Sequence, residues 1–489
     1  MNGYNEQISQ QQQYHNQRPP PPPVNDGKTP HVVIVGAGLA GLLLAILLDQ
    51  ASISWEIYER SKEIRPLGGI MALNAGIFPA LEQLGIYEEL RNVSLPSQQF
   101  NIYSGGMNKI ATLKTKGEKE LVGYDRMVFS RPELYNLLIA RVASEKIHYN
   151  KKVMSIEQNQ DGAMIRCSDG TIYYGDILVG ADGAYSGVRQ GLYRQLQKIG
   201  RLPSSDALEL SKGYICMVGT TEPLNPEHYP GLDGEVSSAY QVIGKKSKYS
   251  WSAFSVPGNR ICWNVVSQLA TLEEAAEEKF RNSEWNPQST EPMIAEVKDF
   301  LTPFGGTMGE LISATPRDKI SRVFLEDKLF ETWHAGRTVL IGDACHKLLP
   351  SSGQGAVTAM QDTVALANCL YDLKSLSPDH VQEALQIFKD ERFSQVQEQY
   401  EASKVNAKLI YGQTFLERCA RHLIFNYMPM SVQAKASSKG MAYRPQASFL
   451  PLVADRGTCQ VIPQKISKRY MLEQQQRNKT SAAANTAVI

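Results

Sequence analysis

His31-Val32-Val33-Ile34-Val35-Gly36-Ala37-Gly38-Leu39-Ala40-Gly41, running on through Leu42 to Leu48, is the stretch that decides the fold. Its first five residues are apolar and β-branched, the pattern of a buried strand. Three glycines follow at once and open an apolar helix. Gly36 permits the tight turn, Gly38 lets a pyrophosphate approach the backbone, and Gly41 lets helix pack on strand. The helix N-terminus offers free N–H groups and the positive end of a dipole to those phosphates. Trp55-Glu56-Ile57-Tyr58 reads as a second strand ending at Glu59. A carboxylate there accepts hydrogen bonds from both hydroxyls of an adenosine ribose and disfavours a 2′-phosphate. Together they predict a dinucleotide-binding βαβ unit.

Two later motifs narrow the choice of dinucleotide. The first is Leu178-Val179-Gly180-Ala181-Asp182-Gly183, with Ser186 and Arg189 behind it. The second is Val339-Leu340-Ile341-Gly342-Asp343-Ala344-Cys345-His346, leading to Pro350, Gly353-Gln354-Gly355 and Asp362. They resemble the Asp-Gly motif of aromatic hydroxylases and the second flavin signature of the single-component FAD-dependent monooxygenases. That family includes the para-hydroxybenzoate and salicylate hydroxylases, and the resemblance covers roughly residues 31 to 410. Met127 to Leu134 resembles the family's Ser-Arg-x-x-Leu stretch, which implies that Arg131 contacts the flavin. Ser130 can cap the helix there, with Pro132 in its first turn.

Asp343 falls at the end of a strand, where ligands of open α/β sheets bind, and its carboxylate suits a ribityl chain; a turn cap is the structural alternative. Gly353-Gln354-Gly355 opens a helix whose N–H groups suit the pyrophosphate or the flavin O2. The residues expected to line FAD are Gly36, Gly38, Leu39, Ala40, Gly41, Glu59, Arg60, Gly69, Arg131, Asp182, Asp343, Gly353, Gly355 and Ala356. His346 is given no proton-transfer role.

The resemblance has departures. Val357 stands where many relatives have Asn. Gly213-Tyr214-Ile215-Cys216-Met217-Val218-Gly219 lacks the Arg of salicylate-type enzymes and is more similar to the Tyr-x-Cys-x-x-Gly stretch of fungal terpenoid epoxidases. Tyr214 is the candidate catalytic residue on the substrate side, through its phenol; a packed tyrosine is the alternative.

Composition sets the outer bounds. Among 489 residues, 51 basic and 50 acidic side chains leave a formal charge of +1, so nothing points to nucleic acid. Seven scattered cysteines without a C-x-x-C pair fit a reducing, cytoplasmic setting. Eight histidines show no metal-ligand spacing, so no metal is expected and the oxygen chemistry falls to the flavin. The longest apolar run, Leu39 to Leu48, and the shorter His422 to Phe425 fall well below the ~20 residues of a membrane span, so no integral membrane segment is expected.

The expected architecture is α/β: a Rossmann-like FAD-binding domain, an inserted mixed β-sheet substrate domain and C-terminal helices. The Gln- and Pro-rich residues 1–29 read as a disordered tail. FAD-binding segments are expected over 30–206 and 318–370, with a 96–124 hairpin belonging to the substrate domain over 207–317. Within the latter, Glu273 to Asn282 and Pro292 to Leu301 read as helices. A helical region over 371–463, led by a helix from Asp379 to about Leu409, precedes a second disordered tail, 464–489.

The family implies that NADH or NADPH reduces the flavin and that O2 then hydroxylates or epoxidises a small apolar or aromatic substrate. Two other readings keep FAD: a flavin-dependent polyprenyl reductase, and a non-catalytic FAD-binding regulatory protein. The Trp-x-Trp-x-Ile-Pro stretch of flavin halogenases is missing.

Overall fold

The computed structural model describes residues 29–63, 68–115, 117–244, 247–269, 290–412 and 414–476. The glycine-bearing stretch folds as strand β1 (His31–Val35) and helix α1 (Leu39–Gln50), followed by β2 (Ser54–Tyr58). β1 is the centre of a six-stranded sheet. It pairs in parallel with β2 on one side and with β3 (Ile177–Gly180) on the other. Thr338–Leu340 joins β3, again in parallel, and Ile147–His148 extends the β2 edge. A parallel sheet is buried on both faces, which is why these strands are apolar throughout and not alternating. Leu42, Leu43, Leu44, Leu47 and Leu48 of α1 are fully buried, because the helix is covered by protein on more than its sheet side.

A second, eight-stranded sheet lies alongside. Third from one edge is β4 (Ser211–Thr220), which runs antiparallel to Arg260–Gln268 and to Ser321–Leu329. The hairpin Gln99–Ser104 and Lys109–Lys114 joins this sheet through a parallel pairing with Ala239–Ile243. So a segment early in the chain leaves the flavin-type sheet to complete the other. Along β4 the side chains alternate. Met217 enters a core with Trp251, Trp263, Val265 and Phe304, and Tyr214, Cys216 and Val218 face a smaller apolar cluster on the other side. The α/β architecture expected from the motifs is the one observed.

Helices α2 (Gly355–Tyr371) and α3 (Pro378–Tyr411) follow the second motif. Ser377 caps α3 by accepting from the His380 N–H, and Val381, Leu385, Phe388 and Val396 form its buried stripe. α4 (Phe415–Tyr427) and α5 (Met430–Gly440) complete the C-terminal helices. Among the described residues, no helix is long and apolar enough to cross a membrane.

Three local expectations need correction. The helix expected over Pro292 to Leu301 ends at Val297, and a separate one spans Met308–Ser313. Ser130 makes no side-chain cap, because its hydroxyl bonds Glu133 Oε1 at 3.3 Å. The segment 464–476 does not behave as a tail. Gln464 bridges Gln446 N and Arg444 O, Ser467 bonds Asp372, and Glu473 accepts from Tyr371 at 2.6 Å. Its polar side chains find protein partners where solvent is expected. The helix expected over Glu273 to Asn282, residues 1–28 and residues 477–489 lie outside the described residues.

Candidate active site

The three motifs converge on one cleft. Gly36 has φ +105°, and a Cβ there would stand 2.5 Å from Ala181 O, so the glycine turn presses directly on the Asp-Gly motif. A Cβ on Gly41 would meet Gly36 O at 2.0 Å, which forces glycine where helix and turn close on each other. Gly38 differs: no protein atom lies within 4 Å of where its Cβ would be, and the residue is exposed. Leu39 is buried and Ala40 half-buried, with Ala40 Cβ 3.8 Å from a Cβ placed on Gly342. The first and third motifs therefore touch.

Glu59 ends β2 beside the glycine loop. Its Oε2 accepts from Ala37 N at 2.9 Å and its Oε1 from Ser61 N at 2.8 Å. The carboxylate thus holds the loop's shape and keeps lone pairs for a ribose. Arg60, next along the chain, is exposed.

Asp182 Oδ2 accepts from the N–H groups of Gly187 and Val188 at 2.7 and 3.2 Å. Its Oδ1 is buried and has no partner, and burial pushes this carboxyl's pKa up. A buried polar atom left unsatisfied signals a missing partner. Arg189 connects this motif to the next: it donates to Ala344 O at 2.8 Å and to Ala184 O at 2.6 Å, and covers Phe330 at 4.3 Å.

Asp343 sits in a 3-10 turn, Gly342–Ala344, that Gly342 enters at φ +59°. Its carboxylate pairs with Lys347, one turn on. Arg131 lies within reach of the Asp343 charge. Enclosure by protein lowers the Arg131 pKa and Asp343 acts against that, yet the residue keeps open surface. A group that is deep and still accessible lines a cleft. Its N–H donates to Gly69 O at 3.0 Å. Gly69 in turn abuts the second sheet, since a Cβ on it would lie 3.4 Å from Val218 Cβ.

Gly353 (φ +63°), Gly355 and Ala356 form the entrance to α2, and nothing stands within 4 Å of a Cβ on either glycine. No side chain caps α2, and none caps α1 at Gly38. Two uncapped helix N-termini and a cation offer positive charge to anionic groups of a ligand. Val357 is buried and packs towards Gly76, so it turns away from the cleft.

Beneath the Asp343 turn lies a network that the motifs alone do not reveal. Asp362 accepts from Gly342 N at 2.9 Å, His346 Nε2 at 2.5 Å and Arg392 Nε at 2.8 Å, all fully buried. Burial would raise the Asp362 pKa, but His346 and Arg392 hold it below the usual carboxylate range. Cys345, His346 and Asp362 bring ligand-type atoms within 4.8 Å of one another. The atoms that face one another are already engaged, His346 Nε2 with Asp362, while His346 Nδ1 is buried without a partner among the described residues. Arg392 supplies the cation, and the Cys345 thiol, pushed well up by burial, donates to Leu340 O. The chemistry of this set is that of an internal ion-pair cluster.

Tyr214 packs against Tyr411 of α3, with ring centroids 5.4 Å apart, and burial raises its pKa. It shares a face with Cys216 and Val218 but stands four residues from Val218, about 13 Å along an extended strand. Cys216 and Val218 are nearer the Gly69–Arg131 wall.

Comparison with known proteins settles the family. A model of the FAD binding domain matches residues 29–209 and 281–403. The chain belongs to the FAD-dependent monooxygenases. The FAD-dependent monooxygenase penE of Penicillium thymicola is 30% identical over 440 residues, spanning 86% of this chain and 87% of that protein. The monooxygenase ausM of Emericella nidulans is 29% identical over 444 residues, with the same coverage. Among solved structures, HpxO of Klebsiella pneumoniae complexed with FAD and uric acid aligns with a TM-score of 0.68. It is 18% identical and covers 85% of this chain and 97% of that one. The 2,6-dihydroxypyridine-3-hydroxylase of Arthrobacter nicotinovorans aligns at 0.63, with 20% identity over 80% and 95% of the two chains. At these identities the structures speak to the fold alone. The orphaned Asp182 Oδ1, the open space at Gly38 and Gly353, and the uncapped helices all fit the FAD that the family binds.

Proposed function

We propose that this protein uses NADH or NADPH and O2 to hydroxylate or epoxidise a small apolar or aromatic substrate. One oxygen atom would enter the substrate and the other leave as water, with two electrons from the nicotinamide. The bound FAD supplies the redox and oxygen chemistry.

The chain's own residues bind, orient and exclude water. Glu59 would hold the adenosine ribose while keeping the glycine loop in shape. The N-termini of α1 and α2 would face the cofactor's anionic groups. Asp343 would accept from the ribityl hydroxyls, restrained by Lys347 and by the Asp362–Arg392 network under its turn. Arg131 would offset negative charge on the flavin.

One observation carries the substrate class. The face of β4 that continues from Gly69 presents Val218, Cys216 and Tyr214, clustered with Val266, Val323, Leu325, Leu349 and Tyr411. Toward Tyr214 the charges of Glu417 and Asp327 come within influence, so the apolar part of this face is its Val218–Cys216 end. Such a surface favours an apolar substrate and keeps water from reactive oxygen species. Tyr214 is proposed to contact substrate at the far end of that face, its phenol protonated.

The test is oxygen consumption by the flavin-loaded protein with NADH or NADPH, against a panel of phenols and terpenoid alkenes. Stimulation by one class supports the proposal. Flavin reduction with no substrate-dependent oxygen uptake would favour the polyprenyl reductase, and no nicotinamide oxidation at all would favour a regulatory role.

A further inference from the structure

α4 carries its apolar residues on the side that a soluble helix would keep polar. Its inward face is set by Arg421, which donates to Gly412 O at 2.7 Å, and by Phe425, which packs beside Ile102, Ala111 and Ile243. On the opposite face Leu416, Cys419, Leu423 and Tyr427 recur at steps of three and four, so they form one stripe. Leu416 is 78% exposed, Leu423 60% and Tyr427 69%, and Phe415 beside them is 70% exposed. The stripe continues through Met428 to Val432 at the start of α5. A surface helix normally turns such a stripe to the core, and a contiguous exposed one marks an interaction surface.

Charge says what it interacts with. The whole chain is nearly balanced, yet between Ala402 and Ala454 Glu417 is the lone acid, against Lys404, Lys408, Arg418, Arg421, Lys435, Lys439 and Arg444. Glu417 is itself engaged in a capping box with Thr414. Arg421 and Arg444 are buried and Lys439 pairs with Glu398. Lys408, Arg418 and Lys435 remain exposed, with no ion pair among the described residues. Arg418, His422 and Asn426, at i, i+4 and i+8, flank the apolar stripe along one edge.

We propose that α4 and the first turn of α5 dock on an anionic bilayer surface. The helix, about 20 Å long, would lie in the interface with its stripe among the acyl chains and its bases at the headgroups. The last turn of α3, with Ala407, Ile410 and Tyr411, covers the Tyr214 face. Docking would therefore hold that end of the second sheet against the phase where apolar molecules concentrate. The docking itself does not depend on the substrate reading.

The flavin-loaded full chain should sediment with vesicles of phosphatidylcholine containing phosphatidylserine. It should bind pure phosphatidylcholine weakly and release from the anionic vesicles as salt rises. Leu416→Glu with Leu423→Glu should abolish sedimentation while circular dichroism and flavin content stay unchanged. Arg418→Gln with Lys435→Gln should weaken partition to anionic vesicles on the order of twentyfold, each base contributing a factor of about five. Failure to bind anionic vesicles, or unchanged binding by the leucine variant, would overturn the proposal. So would a dimer that Leu423→Glu dissolves and that vesicles do not compete away, for the face would then belong to a second copy.

Discussion

Replacing Arg392 by Met isolates what the buried network under the Asp343 turn contributes. The side chain is fully buried and donates to Asp362 Oδ1 at 2.8 Å and to Thr358 O at 3.1 Å. Met keeps much of the volume but removes the charge, leaving the Asp362 carboxylate with only His346 and the Gly342 N–H. Breaking a buried pair from one side costs about 3–5 kcal/mol, against a typical total of about 5–15 kcal/mol. Asp362→Asn in the same protein removes the stranded charge while keeping an acceptor for Gly342. The double variant should therefore recover much of the loss, and the cycle should show a coupling of at least about 2 kcal/mol. Equilibrium urea unfolding of the flavin-free protein by circular dichroism measures all four corners.

The pH dependence has a definite sign. The folded-state pKa of Asp362 lies below its unfolded value. Its stabilisation is therefore full above about pH 4 and lost as pH falls further, through the folded value. The Arg392→Met penalty should shrink over that range. A penalty under about 1 kcal/mol at pH 7, or an additive cycle, would refute the idea that Arg392 neutralises Asp362.

Other outcomes follow from the cleft itself. Glu59→Ala should weaken FAD retention by about 1–3 kcal/mol, the value of a charge-assisted hydrogen bond, measured by fluorescence titration of the flavin-free protein. Asp343→Ala should lower FAD affinity and leave apo thermal stability nearly unchanged, because its protein partner, Lys347, is a half-exposed side chain. A drop in apo stability with unaltered FAD affinity would make Asp343 a turn cap. Gly38→Ala should fold and lose FAD affinity, since only the cofactor side is open, whereas Gly41→Ala should lose the fold by driving a methyl against Gly36 O. Melting curves of both variants, with and without FAD, separate the two.

What could be read in the sequence was what is local. The β1–α1–β2 unit is a run of adjacent residues with an unambiguous period, and the glycines do what their spacing demands. Partnerships across the chain were not legible. Asp362 stands in a quoted motif, but its partner Arg392 lies on another helix. The one clue is positional: Arg392 falls in register with Val381, Leu385, Phe388 and Val396, and a cation in an apolar stripe must find a buried partner. Residues 464–476 illustrate the opposite failure. Polarity predicts solvation there, yet Gln464, Ser467 and Glu473 bond to other parts of the chain. Composition cannot tell water from a protein partner. At Ser130, the nearby Glu133 competes for the hydroxyl and removes the expected cap.

In the proposed reaction this cleft delivers one atom of molecular oxygen to an apolar substrate. Turnover of the responding substrate under 18O2, with the flavin-loaded protein and NADH or NADPH, tests it most directly. Product carrying a single 18O atom is expected, with one nicotinamide oxidised per product formed. Product whose oxygen comes from water, or nicotinamide oxidation that yields only hydrogen peroxide with every substrate offered, would contradict it.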